Sequence, residues 1–154
     1  MKIYSENKKA RFDYEILASY EAGIVLYGNE VKSIKTGHIS LKGAFVTLKQ
    51  IQNKTLPELY LINCYIPLYK YAGKVNNYDP ERSRKLLIKS SEIKQLIGKI
   101  QEKGLTLVPI KVYNKNKLIK LNFGIGKGKK KIDKRETIKK RETDRKLQRI
   151  KKQY

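Results

Sequence analysis

Nothing in this chain is spaced for acid–base, nucleophilic or metal chemistry. His38 is the only histidine and Cys64 the only cysteine. A lone His, or a Cys inside a β-patterned run, is far more often a turn or core residue than a catalyst. The acids before residue 127 form no cluster of the kind that metal-dependent nuclease or polymerase chemistry needs. One cysteine also leaves no disulfide framework and no thiolate metal site. Gly124-Ile125-Gly126-Lys127-Gly128 echoes a phosphate loop, but it lacks the Lys-Ser/Thr pair and leads into charged sequence rather than an apolar helix. It reads as a hinge. No catalytic residue, metal or cofactor is expected.

What remains is binding chemistry. The chain carries 36 Lys or Arg against 14 Asp or Glu, a net charge of +22. Residues 127–154 alone hold fourteen bases and four acids, and residues 1–126 still carry +12. Positive charge on body and tail together points to nucleic acid. A membrane would also attract it, yet no apolar run reaches spanning length and the tail has no face of large apolar residues. Nor does Met1-Lys2-Ile3-Tyr4-Ser5-Glu6-Asn7 resemble a signal peptide, so a cytoplasmic protein without membrane attachment is expected. Eleven Tyr and three Phe offer rings for bases to stack on, at about 1–3 kcal/mol each. Most rings must build the core. Tyr69, Tyr71 and Tyr78, which share a stretch with Lys70 and Lys74, are the least core-like. Glu30, a carboxylate in a basic neighbourhood, is either a solvated surface charge or an acceptor for base amino groups.

These groups need a scaffold, and the patterning suggests one. Phe12 to Ala18 and Ile24 to Leu26 read as strands around a turn-like Glu21-Ala22-Gly23. Asn29 and Gly37 bracket a short helix with Val31 and Ile34 inward. Runs 44–51 and 58–65 are β-rich and separated by a hairpin-like connection. From Lys70 to Arg84 periodicity is lost in a long loop. Leu86-Leu87-Ile88 leads into a helix capped by Ser90 and ended at Gly104. Two further strands, 105–112 and 118–123, flank the turn Asn114-Lys115-Asn116.

Many short strands with few helices predict a mainly β fold. The favoured form is a closed six-stranded antiparallel barrel of the oligonucleotide-binding (OB) type, with two or three short peripheral helices; an SH3-like barrel fits almost as well. Residues 1–126 form this RNA-binding barrel and 127–154 a basic C-terminal tail. The tail holds only Ile132, Ile138, Leu147 and Ile150 as aliphatic residues, too few to seat it on a core. It is expected to be disordered when free. Asp133 and Glu136 nevertheless have capping-box spacing, and Glu136–Lys140 and Glu142–Lys146 have favourable helical spacing. A polyanion should therefore fold it.

Four blocks carry a resemblance: Gly28-Asn29-Glu30-Val31-Lys32-Ser33-Ile34-Lys35-Thr36-Gly37; Pro80-Glu81-Arg82-Ser83-Arg84-Lys85-Leu86-Leu87-Ile88; Gly104-Leu105-Thr106-Leu107-Val108-Pro109; and Gly126-Lys127-Gly128-Lys129-Lys130-Lys131-Ile132-Asp133-Lys134-Arg135. In order and spacing, together with the arm Asn7-Lys8-Lys9-Ala10-Arg11, they resemble the SsrA-binding protein (SmpB) family. The resemblance implies an RNA-binding adaptor of trans-translation without enzymatic activity. Its implied partners are transfer-messenger RNA and the stalled ribosome, at the A site, small-subunit RNA and mRNA channel. Elongation factor Tu with GTP would deliver the charged RNA.

Carried over by position, the resemblance implies RNA contacts at Glu30, Ile88, Lys89 and Lys120, and the expected RNA-binding set also takes in Lys8 and Arg11 of the arm and Lys32, Arg84 and Lys85 of the blocks. Lys129, Lys130, Lys131, Ile132, Asp133, Lys134 and Arg135 would form the ribosome-binding part of the tail. Ile132 stands where His or an aromatic residue is common, and Lys89 where Asn is. A structural ribosomal protein with a permanently threaded tail is the alternative, and a nuclease the third reading.

Overall fold

The computed structural model describes residues 1–151. Its elements, in chain order, are β1 (Ile3–Glu6), α1 (Lys8–Asp13), β2 (Tyr14–Ile24), α2 (Gly28–Lys35), β3 (Phe45–Lys49), β4 (Glu58–Ile62), β5 (Arg84–Leu87), α3 (Ser90–Ile100), β6 (Leu105–Lys115), β7 (Leu118–Gly128) and α4 (Lys131–Lys151). Six strands close a ring in the order β6-β3-β4-β5-β2-β7, with β7 pairing back onto β6. All pairings are antiparallel, and β1 lies outside the ring on β6. This is the expected six-stranded OB-type barrel, with one strand added.

Alternation builds the interior. Leu121, Phe123 and Ile125 of β7, Leu59 and Leu61 of β4, and Leu107 and Val112 of β6 are all buried in one cluster. Side chains alternate across a strand, and the register shift between Pro109 and Lys111 brings Val112 onto the same face as Leu107, so these positions share one interior. Ile34 of α2 and Leu96 of α3 are wholly inaccessible and close the barrel from its flanks. Burying a side chain of this size contributes about 1.5–3 kcal/mol. Asn116 and Lys117, with φ of 51° and 65°, connect β6 to β7. Two successive left-handed residues are the turn that matches the twist of a two-residue hairpin. The turn thus falls later than Asn114-Lys115-Asn116.

Several expectations are corrected. The two strands foreseen around Glu21-Ala22-Gly23 are one strand, β2, with a register shift between Ile16 and Ala18 where it curls along β7. The segment 124–128 is no hinge. It is the end of β7, paired with β2 and β6, because Gly126 faces both Ile16 and Thr106 in register. A side chain at Gly124 would put its Cβ 2.7 Å from the Ala18 carbonyl oxygen and 2.8 Å from Ile16 Cγ2. Close approach of neighbouring strands explains that glycine. The barrel also runs two residues past the boundary expected at 126.

Where a tail disordered when free is expected, the structure has α4, a helix with no buried residue. Its first turn is capped three residues earlier than foreseen: the Lys130 amide donates to Asp133 Oδ2 at 3.1 Å. Among the described residues, the helix meets the body along α1, from Lys129 just before it to Arg141. Lys129 N–H donates to the Asp13 carbonyl at 2.9 Å, and Lys134 Nζ pairs with Asp13 Oδ1 at 2.9 Å. The Phe12 ring lies near Lys134 Nζ and the Arg141 guanidinium, at 6.0 and 5.6 Å from its centroid. The described helices include none long and apolar enough to cross a membrane.

Candidate nucleic-acid interface

Glu21 and Glu30 lie nine residues apart and have opposite fates. Glu30, on the first turn of α2, is fully buried. Its Oε1 accepts from Arg84 Nε at 2.9 Å and Arg82 Nε at 2.8 Å, while its Oε2 accepts from Arg82 Nη2 and from the Tyr27 amide at 2.8 Å. Burial pushes the carboxyl up, but the hydrogen bonds from Arg82 and Tyr27 and the charges of Arg84 and Arg82 outweigh it and hold it below the usual carboxylate value. Arg84 is equally buried and donates further to the carbonyls of Cys64 at 2.6 Å and Pro80 at 2.9 Å. Every lone-pair direction of Glu30 is thus spoken for. Neither Glu30 nor Arg84 can touch an RNA from these positions, which corrects both assignments: they clamp α2 to the loop before β5.

Glu21 is the carboxylate that reaches the surface. The strand β2 presents it beside β7, where Lys120 Nζ stands 3.6 Å from Oε1. Lys115 Nζ pairs with it at 3.0 Å, and the Tyr113 hydroxyl donates to Oε2. The Tyr113 hydrogen bond and then Lys115 hold its carboxyl below the ordinary value, so it is ionised at neutral pH. Burial and the same hydrogen bond push the Tyr113 phenol up to about 12.

A shallow cup gathers Glu21, Leu87, Ile88, Lys89, Glu92 and Lys120. Three of the expected RNA contacts, Ile88, Lys89 and Lys120, therefore meet in one place. Glu21 completes it, and sequence reading missed it by placing it in a turn. Exposed ammonium groups supply phosphate contacts, and a fixed carboxylate accepts from base amino groups. Leu87 is 55% exposed, an apolar floor against which a base or ribose can lie.

The other expected contacts scatter. Lys8 and Arg11 are exposed on α1, and Lys32 is exposed on α2. Lys85 is half-occupied by Glu58 at 2.7 Å. Lys130, just before α4, and Lys131, Ile132, Asp133 and Arg135 on it are exposed, whereas Lys129 and Lys134 are partly covered by their ties to α1. Cys64 is buried and its thiol is pushed up to about 12 by burial, which suits a core residue. The described residues hold no group of three His, Cys, Asp or Glu that could bind a metal ion.

A closed OB-type barrel whose exposed cup mixes lysines with an apolar floor belongs to the class of nucleic-acid-binding barrels. Within that class the chain belongs to the SmpB family, whose model, described as SmpB protein, matches residues 4–153. It is 46% identical to the SsrA-binding protein of Gloeothece citriformis (strain PCC 7424) over 153 residues, covering 99% of this chain and 95% of that one. It is 47% identical to the SsrA-binding protein of Synechocystis sp. over 149 residues, covering 97% and 93%. Among solved structures, one described as "tmRNA-SmpB: a journey to the center of the bacterial ribosome" matches with a TM-score of 0.62 and 46% identity, over 82% of this chain and 84% of that chain.

Proposed function

We propose that this protein is the RNA-binding adaptor of trans-translation in its cell. The barrel binds transfer-messenger RNA through the cup around Glu21, Ile88, Lys89 and Lys120, and the complex enters the A site of a ribosome stalled on truncated mRNA. Elongation factor Tu with GTP delivers it, in the cytoplasm. The tail, with Lys129, Lys130, Lys131, Ile132, Asp133, Lys134 and Arg135 at its start, enters the vacant mRNA channel and contacts small-subunit RNA. One observation carries this reading: the family match runs through body and tail alike, over residues 4–153.

Electrostatics supports the division of labour. The helix α4 is cationic on all sides and buries nothing on the barrel, so an anionic channel is the surroundings that would hold it. A channel already filled by mRNA leaves no room for it. A chain ending at Lys130 should keep its affinity for transfer-messenger RNA within about threefold, since each exposed phosphate contact adds only a salt-sensitive increment. The same chain should lose peptide tagging on stalled ribosomes. Equal loss of both activities would refute the division.

A further inference from the structure

The aromatic residues around α2 remain unused by the cup. Tyr27, which immediately precedes α2, is 61% exposed, and the Arg82 guanidinium lies over its ring at 4.0 Å from the centroid. That guanidinium is not free to wander: Glu30 grips it at Nε and Nη2, and Nη2 also donates to the Val25 carbonyl at 3.2 Å. One turn further along α2, Lys32 Nζ stands 5.8 Å from the Tyr69 ring centroid. Tyr69 meets Tyr71 edge-on at 5.6 Å, and Lys70 Nζ stands 5.6 Å from the Tyr71 centroid. Tyr71 is 75% exposed. Tyr78, by contrast, spends its hydroxyl on the Ile66 carbonyl at 2.7 Å and serves the loop itself.

We propose that Tyr27 with Arg82, and Tyr71 with Lys70 and Lys32, form a second RNA-binding surface that takes unpaired nucleobases by stacking. It shares no residue with the Glu21 cup and goes beyond the function proposed above. Rings left open to solvent beside positively charged side chains are the elements of single-strand platforms: the ring takes the base, the cation takes the flanking phosphate. Arg82 covers one face of Tyr27 and leaves the rest of the ring uncovered. The buried Glu30 has a positioning role here, because it fixes the plane of Arg82 and, through the Tyr27 amide, the backbone that carries the ring. A planar guanidinium held in this way stacks as a lysine cannot. The net charge of +22 favours RNA over a protein as the occupant.

The test uses the full chain and two probes, a dodecamer of oligoadenylate and an abasic ribose-phosphate strand of equal length. Tyr27→Ala combined with Tyr71→Ala should weaken oligoadenylate binding at least about tenfold, the effect of losing stacked bases, and leave the abasic strand within about twofold. Arg82→Lys, which keeps the charge, should weaken oligoadenylate alone. Tyr27→Phe, which keeps the ring, should bind as the parent does. Circular dichroism and thermal melting confirm that each variant is folded. Equal loss on both probes, or none on either, would overturn the stacking surface. In both cases Lys120→Ala and transfer-messenger RNA binding still judge the cup separately.

Discussion

The barrel and the tail carry similar excess charge, +12 over residues 1–126 and +10 over residues 127–154, yet they hold it in different ways. In the barrel, acids pin bases in place. Glu30 holds Arg82 and Arg84, Glu58 holds Lys54 and Lys85, and Glu21 holds Lys115 and Lys120. Hydrogen bonds from Lys54, Lys85 and Tyr60 keep the Glu58 carboxyl down at about 2. Among the described residues of α4, the salt bridge that forms is Lys134 with Asp13, at the root. A pinned cation presents a fixed pattern to a folded RNA, whereas an unpinned one adapts to whatever groove surrounds it. Charge alone does not distinguish recognition from threading; the partners of the charge do.

Three changes probe that contrast, in falling order of effect. Glu30→Ala leaves Arg84 buried without its carboxylate, and removing one member of a buried pair costs about 3–5 kcal/mol. Urea unfolding should show the loss as a lower midpoint; an unmoved midpoint would show that the barrel does not depend on its pinned charges. Gly124→Ala forces a Cβ against the backbone of β2 and should cost about 1–3 kcal/mol, the usual range for overpacking. A hinge at this position would instead leave the melting temperature unchanged and alter only the tail. The smallest effect belongs to Asp133→Ala, which deletes the acceptor for the Lys130 amide. It should lower helical ellipticity of the chain slightly, by the weight of a cap worth about 1 kcal/mol, and leave the barrel's urea midpoint where it is. A midpoint that follows the tail variant would merge the two regions into one cooperative unit.

Much of the ring was legible because alternation reports which face is buried. Leu59 and Leu61, or Leu121, Phe123 and Ile125, announce an interior without any knowledge of their partners. The site was less legible. Glu30 sits in a recognisable block, and its neighbours suggest a surface carboxylate; only the fold brings Arg82 and Arg84, more than fifty positions away, onto it. Glu21 failed in the opposite sense. Ala22-Gly23 beside it resembles a turn, and the long pairing of β2 with β7 overrides that local preference. The outward alternation of Ser19 and Glu21 was the available signal. Glycines at 124, 126 and 128 suggest freedom by type, while Gly124 and Gly126 serve crowding by position. Local chemistry cannot tell these two uses of glycine apart.

Ring closure also governs what the molecule does at high concentration. A strand whose amides and carbonyls point outward invites a neighbour to extend the sheet, and closing six strands on one another removes many such invitations. What is left among the described residues includes the outer side of β1, four residues long and flanked by Lys2, Lys8 and Lys9. Two copies approaching edge to edge there would meet like charges before any ladder could form. At this edge, then, like charge opposes growth of the sheet from one copy to the next.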